Sequence, residues 1–257
     1  MCQTWLMLAV EVLGCSGSYA AAGGACTGYL VRSTHAAVWL DCGPGTFANL
    51  QKTTSLGELA AIALTHAHPD HWLELPIVAN ALEWYEPRSE RLKVLSNSHM
   101  FGEARNLIGP ELDHVFDWQI VSAGDKVQVA DQVWSFADAD HYVPTLAVRA
   151  DADGHSMAFS SDTGPSFSFA SMVEADGPID MVLAESTFLE RAGNEGVLHL
   201  AAPEAAQLAL SAKASKLVLT HQAPREDRQA HLAAASQIFD GQAVLAQVGE
   251  TFTAGAD

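Results

Sequence analysis

Basic residues are scarce in this chain, with 13 Lys and Arg against 31 Asp and Glu, for a formal net charge of −18. A surface of that sign repels nucleic-acid phosphates and anionic lipid headgroups, which argues against broad electrostatic binding to either. The nearest approach to a basic cluster, Arg88, Arg91 and Lys93, is interleaved with Glu86 and Glu90 and reads as a solvated helix end. Cysteine is also sparse. The four residues at 2, 15, 26 and 42 form no Cys-x-x-Cys pair, so free thiols in a reducing cytosol are expected. No apolar run is long enough for a transmembrane helix. Val12-Leu13-Gly14-Cys15 has the outline of a lipoprotein cleavage box, but the residues before it lack Lys and Arg and Glu11 interrupts the apolar run. The expectation is therefore a cytoplasmic protein with no membrane partner. No low-complexity stretch or long polar linker divides the chain.

What is present suffices for a sizeable core: 257 residues, 49% of them hydrophobic. Strands are expected at 4–14, 29–31, 37–40, 94–95, 116–121, 127–129 and 133–136. Residues 145–149 and 156–160 flank Asp151-Ala152-Asp153-Gly154 as a hairpin. Further strands are expected at 181–183, 217–219 and 243–248. Helical spacing marks a segment near Phe47 and Leu50, a helix over 72–86, and others near 100–108, 203–212 and 227–238. Many strands alternating with a few helices in each half predict an α/β fold of two stacked sheets with helices outside.

The densest chemistry follows the apolar run Leu59–Leu64. His66-Ala67-His68-Pro69-Asp70-His71 places three imidazoles and a carboxylate within six positions. Neutral nitrogen donors mixed with a hard oxygen at a strand end suit zinc or a similar divalent ion. One such motif cannot saturate two ions, and His141, Asp162 and His221 stand at the ends of expected strands, where further ligands are well placed. Each also has a plain alternative, a surface histidine or a turn-forming aspartate.

Asp41 in Leu-Asp-Cys-Gly-Pro-Gly together with the His66–His71 run resembles the metallo-β-lactamase superfamily across the whole chain. Asp140-His141 running into Pro144–Arg149, then Phe159-Ser160-Ser161-Asp162-Thr163, Glu185-Ser186-Thr187-Phe188 and Leu219-Thr220-His221 narrow the resemblance to the ribonuclease Z branch. Within it the chain is most similar to short bacterial hydrolases related to cyclic-nucleotide phosphodiesterases. The resemblance implies a single domain over residues 1–257 with a four-layer αββα sandwich, two mixed β-sheets flanked by helices. It implies two metal ions, zinc first, with manganese and iron accepting the same ligands. His66, His68 and His141 would hold one ion and Asp70, His71 and His221 the other, with Asp162 bridging. Asp70 would also orient or deprotonate the attacking water. His199 falls where the branch carries a histidine that protonates the leaving oxygen, although Leu200 follows it here in place of the usual Ser or Thr. Members of the branch often form homodimers, on which no residue pattern in this chain bears.

The remaining features are plainer. Asp41 is expected to fix the loops beneath the metals rather than bind one. Trp72 either walls the cleft, with a base stacked on it, or packs in the core. Gly14–Ser18 either aims backbone N–H groups at a phosphate or is only a turn. His35, His99, His114, His155 and His231 match no motif and are expected at the surface.

For the substrate, residues 142–161 between His141 and Asp162 are almost filled by the expected hairpin. The ribonuclease Z enzymes that process tRNA typically insert a long basic arm there. Its absence and the acidic charge favour a small phosphodiester, such as a cyclic nucleotide, over nucleic acid. The expected reaction is in-line attack of metal-bound hydroxide on phosphorus. A tRNA 3′-end endonuclease is the second reading, and a hydrolase of esters, lactones or thioesters the third.

Overall fold

The computed structural model describes residues 7–255. Cys2 and the first part of the strand expected at 4–14 lie outside that range. Strands β1 (Ala9–Gly14), β2 (Gly28–Arg32), β3 (Ala37–Leu40), β4 (Ala61–Ala63), β5 (Leu92–Ser96) and β6 (Phe116–Ile120) build one sheet. A second is built from β7 (Lys126–Val129), β8 (Gln132–Asp138), β9 (Leu146–Ala152), β10 (His155–Phe159), β11 (Met181–Glu185), β12 (Lys216–Thr220) and β13 (Gln242–Leu245). β14 (Thr251–Thr253) returns to the first sheet, giving the orders β14-β1-β2-β3-β4-β5-β6 and β13-β12-β11-β10-β9-β8-β7.

Both sheets are mixed, and in the same way. β1–β2–β3 and β7–β8–β9–β10 pair antiparallel, whereas β3–β4–β5–β6 and β10–β11–β12–β13 pair parallel. Parallel pairing gathers the carboxyl ends of several strands on one edge, where open α/β sheets place their ligands.

Apolar residues from the two sheets meet face to face: Val10, Val12, Val31, Val38 and Leu40 from one, Trp134, Phe136, Val148, Met157 and Leu183 from the other. Tyr29 on β2 crosses this layer, its ring 5.1 Å from Phe159 and its hydroxyl 2.6 Å from Thr220 Oγ1. The outer face of the first sheet is covered by α1 (Thr46–Leu50), α2 (Pro69–Trp72), α3 (Leu75–Trp84), α4 (Ser98–Ile108) and α5 (Leu112–Val115). The second is covered by α6 (Ala170–Asp176), α7 (Ala202–Ser211) and α8 (Arg228–Ser236). The result is the expected αββα sandwich. Among the described residues no helix is long and apolar enough to cross a membrane.

Several expectations are corrected. The helix expected over 72–86 is shorter, α3 at Leu75–Trp84, and Trp72 instead ends α2 across a break at Leu73-Glu74. Pro76 sits in the first turn of α3, where its missing N–H costs nothing, and the Glu74 carboxylate accepts the N–H groups of Gly45 and Phe47 at the start of α1. α6 and β14 were not foreseen. The strand expected at 243–248 ends at Leu245 as β13, because the chain turns at residues 246–250 to pair Thr251–Thr253 with β1 in the other sheet. His231, expected at the surface, is fully buried on the inner face of α8.

Trp134 is fully buried between the sheets, and its indole N–H donates to Gln132 Oε1 at 2.9 Å. Trp134→Ala is expected to cost about 3–5 kcal/mol, read as a lowered midpoint of urea unfolding. An unchanged midpoint would show that this layer does not carry the stability assigned to it.

Candidate metal centre

Every candidate side chain stands just beyond the carboxyl end of a strand or at the start of a helix. The loop leaving β4 carries His66 and His68. Pro69 then opens α2 and puts Asp70 and His71 in its first turn. His141 follows β8, Asp162 follows β10, His221 follows β12, and His199 lies in the loop before α7. Three residues at these strand ends have left-handed backbones without being glycine: Asp41 (φ 58°) after β3, Ser161 (φ 54°) beyond β10 and His221 (φ 57°) after β12. Each such conformation costs on the order of 1–3 kcal/mol and persists where the surroundings over-determine it.

Asp162 is the centre of the cluster. Its Oδ2 lies 3.6 Å from His66 Nε2 and 3.8 Å from His141 Nε2, and His68 Nδ1 is 3.0 Å from that same His141 nitrogen. Its Oδ1 lies 3.2 Å from His71 Nε2 and 3.3 Å from His221 Nε2, and Asp70 Oδ2 is 3.2 Å from His221 Nε2. The donor atoms of His66, His68, His141 and Asp162 all fall within 4.8 Å of one another, as do those of Asp70, His71 and His221, and those of Asp162, His199 and His221. The sequence candidates therefore converge, and they divide into two groups with Asp162 between them.

The electrostatics of this arrangement call for cations. His71 Nδ1 lies 2.7 Å from the buried Asp41 carboxylate, so in neutral His71 the Nε2 is a bare lone pair, and it faces His221 Nε2 at 3.2 Å as well as Asp162. Lone pairs directed at one another repel unless a positive charge lies between them. His66 Nε2 is buried and makes no hydrogen bond. Burial holds the His66 imidazole well below its usual pKa and so keeps it a neutral donor. Burial opposes the charged forms of His71 and His221 too, but there the carboxylates prevail: Asp162 foremost, with Asp70 and Asp41 acting on His71 and Asp70 on His221. Both imidazoles are pushed up. Asp162, although buried, is held well below the usual carboxylate range by His221 and His71. Protons on these histidines supply positive charge that divalent ions would supply better, so the donor set fits such ions.

Buried carboxylates outside the cluster orient it. Asp41 Oδ1 accepts the Thr65 N–H at 2.9 Å, and its Oδ2 holds His71, which fixes both ends of the His66–His71 loop, as expected of a supporting residue. Glu185, fully buried at the end of β11, repeats the device, yet sequence reasoning had not placed it in the site. Its Oε1 accepts the Thr163 N–H at 2.8 Å and lies 2.9 Å from His199 Nδ1, while its Oε2 accepts the Thr187 hydroxyl at 2.6 Å. The signal was present as an acid one strand-end before a Ser-Thr-Phe turn. Asn97 Nδ2 donates to Thr65 O and Pro144 O, tying the His66 loop to the segment carrying His141.

Two open alternatives are settled. Gly14–Ser18 is a packing turn: the Ser18 N–H donates to Asp70 Oδ2 at 2.7 Å, and a Cβ on Gly17 would come within 2.5 Å of His221 O. Trp72 is a core residue whose indole N–H donates to Ala67 O at 3.0 Å, bracing the loop between His66 and His68. Gly43 allows another close approach, since a Cβ there would lie 2.0 Å from Asp70 O.

His199 is partly exposed beside the cluster. Its own burial opposes charge, but Glu185 and then Asp162 outweigh that and the imidazole is pushed up to about 9. Its loop is fixed by Arg191, which pairs with Glu204 and donates to the carbonyls of Asn194, Val197 and His199.

Comparison with known proteins agrees with this architecture. The model of the β-lactamase superfamily domain matches residues 37–222, from β3 through His221. The chain belongs to the metallo-β-lactamase superfamily. It is 28% identical to the uncharacterized protein Rv1339 of Mycobacterium tuberculosis over 97% of this chain and 93% of that one. It is 24% identical to a ribonuclease Z of Metallosphaera sedula over 82% of this chain and 87% of the relative. The crystal structure of the metallo-β-lactamase fold protein YhfI from Bacillus subtilis superimposes with a TM-score of 0.84 at 22% identity, covering 95% of this chain and 98% of that one. Superfamily membership and the clustered donors make the chain a metal-dependent hydrolase.

Because Asp41 holds both the Thr65 backbone and His71, Asp41→Asn is expected to weaken metal retention on the order of 10- to 100-fold. Metal per protein after dialysis against graded chelator reads this out. Retention equal to the parent's would remove Asp41 from the support of the site.

Proposed function

We propose that the chain is a dinuclear phosphodiesterase acting on a small cyclic or linear phosphodiester. The observation that carries this is the position of Asp162, one oxygen towards His66 and His141 and the other towards His71 and His221. In this reading His66, His68, His141 and Asp162 hold one ion, and Asp70, His71, His221 and the same Asp162 hold the other, with zinc the favoured metal. Two such ions lower the pKa of bound water and offset charge on the phosphoryl oxygens.

The chain's own residues supply the rest. The Asp70 carboxylate, ionised and steadied by the Ser18 N–H, is placed to orient the attacking water. His199 is positioned by Glu185 through Nδ1, which leaves Nε2 for the cleft, and the Glu185 carboxylate favours the protonated imidazole that would donate to the departing oxygen. Ala201 occupies the cap position of α7, so His199 does not cap that helix.

A small substrate is supported by residues 142–161, where β9 and β10 form a hairpin turning at Asp153-Gly154, with no inserted arm, and by the net charge of −18. Similarity to a ribonuclease Z favours tRNA 3′-end cleavage as the second reading.

Zinc- or manganese-loaded protein assayed on 3′,5′-cyclic AMP, 2′,3′-cyclic nucleotides, a nitrophenyl phosphodiester, precursor tRNA and a lactone panel separates the readings. Turnover of the small phosphodiesters is expected. Efficient trimming of precursor tRNA would reverse the ranking, and turnover of lactones alone would sink the phosphodiesterase reading. His199→Ala should lower kcat by about 10²–10⁴-fold with metal content unchanged; loss of metal would instead make His199 a ligand. Asp162→Ala should lose metal, and full occupancy of both ions in that variant would contradict bridging.

A further inference from the structure

Tyr142 directly follows His141, and nothing above gives it a task. It is 59% exposed, so it adds little to the core. Yet it is held at both ends: its ring lies 5.2 Å from the His141 ring at a tilt of 60°, and its hydroxyl accepts the Leu198 N–H at 3.0 Å. The carbonyl of that same Leu198 accepts from His141 Nδ1 at 2.9 Å. Tyr142 thus spans from the strand-end segment of one candidate ligand to the loop that carries His199. An aromatic ring that is both exposed and pinned is a preorganised contact surface, since little rotamer entropy remains to be lost when something packs on it.

The charge distribution favours such a surface. None of the side-chain hydrogen bonds and ion pairs described for the clustered histidines and aspartates involves a lysine or arginine, and Arg191 is committed to Glu204 and to backbone carbonyls, that of His199 among them. Uncharged contacts are therefore a ready source of affinity for a nucleotide beyond its phosphate. Base-on-aromatic stacking is one that works in a strongly acidic protein, because it needs only the π-face of the ligand.

We propose that Tyr142 is a specificity-determining residue whose ring is the platform on which a planar nucleobase stacks while the phosphate is held at the metal centre. The proposal rests on the phosphodiesterase reading and adds to it the residue that separates base-bearing diesters from glycerol- or sugar-based ones.

The test is equilibrium binding, by calorimetry, of adenosine 5′-monophosphate and ribose 5-phosphate to the zinc-loaded protein. The two ligands share ribose and phosphate and differ in the base. The parent is expected to bind the nucleotide more tightly by on the order of tenfold or more. Tyr142→Leu should abolish that preference, and Tyr142→Phe, which keeps the ring and loses the tie to Leu198, should retain it. Equal binding of both ligands by the parent, or a preference that survives Tyr142→Leu, overturns the proposal. Loss of preference in Tyr142→Phe overturns it as well, because the hydroxyl's hold on the loop would then be the cause. The ratio of affinities does not depend on turnover. Failure of every phosphodiester in the substrate panel alongside an intact, Tyr142-dependent ratio would defeat the reaction assignment and leave the platform standing.

Discussion

Asp162 is a charged side chain with almost no contact with solvent, facing imidazoles from both of its oxygens. An isolated carboxylate in such a place is costly by several kcal/mol, and it is tolerated only with positive charge on each side. The rest of the molecule is arranged to meet that requirement. Two sheets that each turn from antiparallel to parallel bring the carboxyl ends of β4, β10 and β12 to one edge, and the segment after β8 delivers His141 to the same place.

The support beneath the cluster is built twice from the same part. Asp41 after β3 and Glu185 at the end of β11 are both buried acids that fix a neighbouring loop through a backbone N–H and orient a histidine through Nδ1. The consequences differ with what each histidine faces. His71 is turned inward onto Asp162. His199 is left at the rim, partly exposed, 4.0 Å from Asp162. Similar chemistry thus gives one group suited to holding an ion and another suited to moving a proton.

Backbone strain is concentrated at the same edge. Asp41, Ser161 and His221 adopt left-handed conformations at or beside the ends of their strands, and each turn swings a side chain out of the alternating pattern of the strand and towards the cluster. The sandwich absorbs this because its central layer is continuous, with Trp134, Phe136 and Phe159 meeting Val12, Val31 and Tyr29 from the other sheet. Close packing of backbone against the ligand loops, as where Gly43 runs against Asp70 O, leaves these loops little room to relax.

The sequence alone determined the elements with strong local signatures. The His66–His71 run announced divalent-metal chemistry because few other uses justify that density of donors. The alternation of apolar strands with amphipathic segments dictated stacked sheets with helices outside. The Asp153-Gly154 turn fixed the β9–β10 hairpin, since left-handed backbone at both positions is what those residues tolerate. Short or tertiary-stabilised pieces were not legible: β14 exists because it pairs with β1, α6 because it packs on the second sheet, and the break between α2 and α3 because Glu74 caps a different helix. For the site, residue types and, through the family resemblance, the grouping of the ligands were legible, but their hydrogen-bonding partners were not. Folding gave distances to the division of the histidines about Asp162 that the family resemblance implied, and only folding decided that Ser18 serves Asp70 rather than a phosphate, that Glu185 orients His199, and that Tyr142 spans to Leu198. These contacts join segments 14 residues apart for Glu185 and His199, 52 for Ser18 and Asp70 and 56 for Tyr142 and Leu198, whose meeting is set by sheet order and not by local spacing.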